Sequence, residues 1–184
     1  MFKKKLTQGA KMPNFTYLSP YREGEQSFEE FANGKRTYVV FLRYYGCTVC
    51  RVDMHNFKNR FSDFEERKTN LMVVLQSDPA VVAEEAEKGT FPFEIACDPT
   101  QKIYKDFEIE PAKSKLRLAG SGVFKLVSKM NEAKKLGFEH GKFEGDEEQL
   151  PAIALVEADG TISYVHYAKN ISDMPTVDEM INKL

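Results

Sequence analysis

At 184 residues the chain is long enough for one domain with a closed core and too short for two comfortable ones. Apolar residues make up 42% and include fourteen Phe, enough to fill that core, while a net charge of −2 leaves no electrostatic footprint for DNA, RNA or an acidic membrane surface. Three cysteines do not form a secreted disulfide framework and point to catalytic or redox use in a reducing compartment. The opening, with Lys3-Lys4-Lys5 as a solvated terminus, has no apolar h-region behind it, and no run approaches membrane-spanning length. The expectation is a cytoplasmic protein without a nucleic-acid or membrane partner.

Strand-like and helix-like segments alternate, which predicts an α/β domain over 1–184. A strand at Phe15 to Leu18 precedes a helix with capping-box spacing at Ser27-Phe-Glu-Glu30 and an Asn33-Gly34 end. Thr37 to Leu42 reads as a strand buried on both faces. One helix follows, with Cys47, Cys50, Met54, Phe57, Phe61 and Phe64 on a single apolar stripe. Leu71 to Leu75 is the next buried strand, and Asp78 and Pro79 cap and open a helix ending near Gly89. Phe93 to Ala96 gives a further strand, and Asp98-Pro99 repeats the cap-and-proline start for a helix carrying Ile103, Tyr104 and Phe107. Residues 108–150 are expected to hold one or two helices, including an amphipathic run from Val123 to Leu136, and a polar surface loop from Gly141 to Gln149. Ala152 to Glu157 and Thr161 to Tyr167 flank Asp159-Gly160 as a hairpin, and Thr176-Val-Asp-Glu179 caps a final helix.

The chemistry is concentrated in Tyr38-Val-Val-Phe-Leu-Arg-Tyr-Tyr-Gly-Cys47-Thr-Val-Cys50-Arg51, a strand running into a helix that starts with a thiol pair. A thiolate at a helix N-terminus faces unpaired N–H groups and the positive end of the macrodipole, which lower its pKa. The second thiol, one turn on, is within reach of an intramolecular disulfide. Cys47 is nearer the helix start and is expected to be the attacking thiol, with Cys50 resolving; Arg43, Tyr44 and Thr48 adjoin them as supporting residues. Cys97, at a strand's C-terminal end, is either an alternative resolving thiol or a small buried residue. Two cysteines on a core stripe also have a packing-only reading. A zinc site would need a second ligand pair, and His55, His140 and His166 show no paired spacing, so neither metal nor cofactor is expected. Arg51 and Lys58 read as surface charges, His55 as a solvated helix residue, and Glu144 to Glu148 as a solvated turn.

The element order, with Met12-Pro-Asn-Phe15, Val40 to Cys50, Val74-Leu-Gln-Ser-Asp-Pro79, Pro92 to Pro99 and Leu150-Pro-Ala-Ile-Ala-Leu155, resembles the thioredoxin superfamily. More narrowly, it resembles the peroxiredoxin-like redoxins of the alkyl hydroperoxide reductase and thiol-specific antioxidant (AhpC/TSA) family. The resemblance covers most of the chain except 108–150, a family-variable helical and loop segment. It implies a thioredoxin-like fold in its peroxiredoxin-like variant, a mixed central sheet flanked by helices. It also implies a Cys47/Cys50 redox pair with Pro151 as the cis-proline opposite, a small peroxide or protein disulfide as substrate, and a cellular dithiol reductant such as thioredoxin; a homodimer is left open. The family's Pro-x-x-x-Thr-x-x-Cys pattern is absent: counted back from Cys47 stand Val40 and Tyr44, and from Cys50 stand Arg43 and Cys47. Its arginine is not evident at Gln149-Leu150-Pro151 either. A disulfide reductase and a non-enzymatic redox sensor or binding module, with 108–150 as the switched segment, therefore stand beside the peroxidase reading.

Overall fold

The computed structural model describes residues 4–184, and the side chains of all of these but Lys115, Leu116 and Ser121; Lys3 of the lysine run thus lies outside the described residues. Seven strands form one mixed sheet: β1 (Thr16–Ser19), β2 (Arg22–Ser27), β3 (Thr37–Phe41), β4 (Asn70–Leu75), β5 (Glu94–Cys97), β6 (Ala152–Val156) and β7 (Ile162–Tyr167), in the order β2-β1-β5-β4-β3-β6-β7. β3, β4 and β5 are parallel and central, and β6 closes antiparallel on β3, with Val39 opposite Ala154 and Phe41 opposite Ala152. All five residues of β3 are buried, as expected of a strand covered on both faces.

Because strand side chains alternate, the sheet sorts its residues into two cores. On one face Tyr38, Val40, Leu71, Val73, Ile95 and Ile153 pack with Met54, Phe57 and Phe64 from α2 (Thr48–Asn59) and α3 (Phe61–Glu66). On the other, Val39, Phe41, Met72, Val74 and Ala154 meet Phe28 of α1 (Phe28–Ala32) and Ile103, Tyr104 and Phe107 at α5 (Lys102–Asp106). The remaining helices are α4 (Pro79–Glu85), α6 (Lys115–Ala119), α7 (Val123–Lys135) and α8 (Val177–Ile181).

Several boundaries depart from the sequence expectation. β2 was not expected: Arg-Glu-Gly-Glu-Gln-Ser is a polar edge strand that buries neither face, so it carries no apolar alternation. The expected single thiol helix is two, broken at Arg60 (φ −112°, ψ 16°), whose guanidinium donates to Asp63 and, at 2.8 Å, to Asp178 at the start of α8. The apolar stripe continues across the break, which hid it. Pro99 does not open α5. Asp98 instead accepts from the Lys102 and Ile103 N–H groups at 2.9 and 2.7 Å, and Pro99 lies in the turn between. Asp78 and Thr176 do cap as read, the latter with Glu179 in a reciprocal capping box.

Candidate active site

β3 ends at Phe41, and the chain then runs Leu42 to Gly46 across the C-terminal edge of the parallel strands before α2 begins. Three hydrogen bonds fix this loop: Leu42 N–H to the Val74 carbonyl (3.0 Å), Gln76 N–H to the Arg43 carbonyl (2.8 Å) and Tyr45 N–H to Ser77 Oγ (2.8 Å). From below, the buried Tyr104 hydroxyl donates to the Leu42 and Val74 carbonyls.

Cys47 is the N-cap of α2. Its Sγ accepts from the Cys50 N–H at 3.4 Å, a position most proteins give to a Ser, Thr, Asn or Asp oxygen. Cys50 Sγ lies 2.7 Å from Cys47 Sγ, and Arg43 Nη1 reaches the same sulfur at 3.6 Å. Burial pushes the Cys47 thiol up, but the hydrogen bond from Cys50, the Arg43 charge and the helix-start N–H outweigh it and bring the thiol down to about 7; Asp53 opposes them. Cys50 moves the other way, raised by burial and by donating to Cys47. The pair is therefore polarised, with Cys47 shifted toward the thiolate and Cys50 toward the protonated thiol, and neither is in a disulfide.

The side chains read as supporting residues are placed as follows. Arg43 is 8% exposed; Nη2 donates to the Glu147 carbonyl, while Nε has no partner among the described residues. The Tyr44 ring lies 5.1 Å from the Arg43 guanidinium, and burial pushes its hydroxyl up to about 12. Thr48 lines the cavity beside Cys47. Pro151 precedes β6, one residue beyond the Phe41–Ala152 pair, next to the thiol loop. Its peptide bond is trans, contrary to expectation, since no cis bond occurs among the described residues; its carbonyl accepts from Ala168 N–H at 3.0 Å. Cys97 ends β5 as a buried side chain, pushed up to about 12 by burial and then by Glu144, with no hydrogen bond to either thiol of the pair.

Residues 138–148 lie over the thiol loop as a strap. Gly141 N–H donates to the Gly46 carbonyl at 2.9 Å, and a Cβ on Gly46 would stand 2.4 Å from the Lys142 carbonyl oxygen, so the two chains meet backbone to backbone. The expected solvated turn at Glu144–Glu148 is corrected: Glu144 accepts from Asp78 N–H (2.9 Å), Asp146 N–H donates to Gln76 Oε1 (2.8 Å), and Glu147 holds Arg43 through its carbonyl. Arg51 is likewise no free surface charge, since its guanidinium stacks 4.6 Å from the Phe138 ring.

His140 was not singled out by sequence. Its Nδ1–H donates to the Gly141 carbonyl at 2.8 Å, so Nε2 accepts from the Tyr44 hydroxyl at 3.0 Å. A lone histidine in a polar loop gave no signal of this. The Lys129–Asp53 ion pair at 2.5 Å and the Asn56–Glu132 hydrogen bond at 3.1 Å, which clasp α7 to α2, also had none. Between α7 and the thiol loop is a mostly apolar cavity of 240 Å³, lined by Arg43, Cys47, Val49, Leu126, Met130 and Ile171 among others. Cys47 is 2% exposed and forms part of the wall of this cavity.

The mixed sheet with flanking helices, and α2 capped by Cys47 directly after β3, is the thioredoxin-like fold in its peroxiredoxin variant. The sequence matches the AhpC/TSA family over residues 8–165, and the chain belongs to that family. Among solved structures, it is similar to the reduced 2-Cys peroxiredoxin of Plasmodium vivax (16% identity, TM-score 0.66, covering 95% of this chain and 78% of that one). A Cys-to-Ser mutant of Arenicola marina peroxiredoxin 6 gives 15% identity and TM-score 0.71 over 96% of this chain and 70% of that one. A peroxiredoxin-like protein from Aquifex aeolicus gives 14% and 0.68 over 97% and 86%. At these identities the likeness concerns the fold. No match was found among curated proteins.

Proposed function

We propose that this chain acts, as one domain, as a thiol peroxidase in which Cys47 attacks and Cys50 resolves. The observation that carries the reading is the polarised pair: a Cys47 sulfur brought down to about 7, with Arg43 Nη1 3.6 Å away and the Cys50 sulfur 2.7 Å away. The Cys47 thiolate attacks the terminal peroxide oxygen, the O–O bond breaks, and the departing alkoxide or hydroxide takes a proton to leave as alcohol or water. Cys47 is then a sulfenic acid. Cys50 attacks its sulfur, forming the Cys47–Cys50 disulfide and releasing water. A dithiol reductant, thioredoxin-like in chemistry, returns two electrons by exchange and becomes a disulfide itself.

The Cys-x-x-Cys contact equally suits protein disulfide exchange, and the absent Thr and Arg of the peroxidase pattern favour that second reading. Against it stands the burial of Cys47 behind a 240 Å³ cavity, which admits a small peroxide more readily than a disulfide flanked by two polypeptide chains. A coupled peroxide assay run beside insulin reduction separates the two. Peroxide treatment should give a Cys47–Cys50 bridge by mass spectrometry, and a Cys47→Ser protein that kept full activity would overturn both readings.

A further inference from the structure

The whole-chain charge of −2 averages over a strong segregation. From Lys113 to Lys135 there are seven basic residues and one acidic one, a net of +6, so the rest of the chain carries −8. Within this stretch α7 buries Leu126 in part and Ala133 fully against the body of the protein, and Lys129 and Glu132 are held by Asp53 and Asn56 of α2. Its outer side is not the polar face that a surface helix normally presents. Phe124 is 91% exposed, and Val123, Val127 and Met130 are each about half exposed. Their spacing, i, i+1, i+4 and i+7 from Val123, gathers them into one stripe. Lys134 and Lys135 follow the stripe at the end of the helix and Arg117 is exposed on α6, whereas Lys125 is on the other side of α7, facing Asp173 and Glu179.

We propose that this stripe of α7, with the basic side chains around it, docks on an anionic lipid surface. Apolar anchoring and a polybasic patch are the two signals that together give reversible interfacial binding. The lysine stems let their ammonium groups reach the headgroups while Phe124 enters the acyl boundary. A lipid surface is favoured over a folded protein because the stripe lies on the outside of a helix, where a deformable partner can cover Phe124 without a matching pocket. It is also favoured by the exposed cations Arg117, Lys134 and Lys135, several charges spread over α6 and α7 that suit an extended field of negative charge rather than one carboxylate. Met130 belongs both to the stripe and to the wall of the Cys47 cavity, so docking places the mouth of the thiol site at the lipid boundary.

The test is sedimentation of the full chain with vesicles of phosphatidylcholine alone or with about one third phosphatidylserine. The protein should pellet with the anionic vesicles, remain in the supernatant with the neutral ones, and be released by high salt. A Phe124→Ser/Val127→Ser protein, altered only at exposed positions outside the cavity wall, should keep its melting curve and partition at least about tenfold more weakly. Arg117→Gln/Lys134→Gln/Lys135→Gln should do the same. Wild-type protein that stays in solution with both vesicle types, that binds both alike, or whose binding survives the Phe124/Val127 change, overturns the proposal; the first of these is also the result a protein partner would give. None of the readouts depends on peroxidase activity, so the two proposals fail independently.

Discussion

Replacing Arg43 by Met tests how the thiol pair is polarised. At 3.6 Å a unit charge pair in an effective dielectric of about 20 attracts by about 4–5 kcal/mol, most of which is offset by the desolvation of both ions. Cys47 stands at about 7 against an ordinary value of 9.0; the hydrogen bond from Cys50 lowers it most, and Arg43 is the one cationic contributor. Arg43→Met should therefore raise Cys47, the Cys50 hydrogen bond remaining in place, and a rise of one unit would leave about 5-fold less thiolate at pH 7. The assay is the pH dependence of iodoacetamide alkylation, read at Cys47 by peptide mass spectrometry. Arg43→Lys separates charge from tethering, because it retains the cation while losing the fork that also reaches the Glu147 carbonyl. The sign for stability follows from a folded value below the unfolded one. The contribution is fully present above about 9 and is lost as pH falls through about 7, so wild type and Arg43→Met should converge in stability toward acid and diverge between pH 7 and 9. An alkylation midpoint in Arg43→Met within a few tenths of wild type refutes the electrostatic account.

Other outcomes follow from the same geometry. Cys50→Ser should stop peroxide chemistry at a Cys47 sulfenic acid that dimedone traps, whereas wild type should give little adduct; equal adduct yields would remove Cys50 from the resolving role. Asp53→Asn deletes the carboxylate that opposes the Cys47 anion, so the alkylation midpoint should move to lower pH, and thermal unfolding should show the loss of the Lys129 clasp. Gly46→Ala drives a Cβ against the Lys142 carbonyl, which should cost about 1–3 kcal/mol and speed Cys47 alkylation as the strap is displaced. Phe64→Ala, fully buried against Tyr38, should cost about 3–5 kcal/mol in denaturant unfolding.

The central strands were legible because Tyr38 to Leu42 and Leu71 to Leu75 are continuous apolar runs, and burial on both faces leaves that signature. The thiols were legible because the strand-to-helix junction places them where the backbone supplies N–H donors. β2 escaped because an exposed edge strand has no hydrophobic period, and the break at Arg60 because the stripe through Phe57, Phe61 and Phe64 runs across it. The strap escaped for a different reason. It is held by carbonyls and amides of Gly141 and Glu147, and by side chains from Gln76 and Arg43 tens of residues away. Composition describes such a segment only as polar. His140 acquires its place from the strap, so it could not be found before the strap was.

The backbone contact between Gly46 and Gly141 bears on how such a protein can be altered. Side chains facing outward from the strap, such as those of Glu139 and Lys142, can be exchanged without reaching the sulfurs, but positions 46 and 141 behave as a single joint that closes only when both lack a Cβ. A strap grafted from elsewhere would need a glycine at the point where it crosses Gly46. Without one it would stand away from the thiol loop and leave Cys47 open to solvent, turning a sheltered sulfur into one that any passing oxidant could consume.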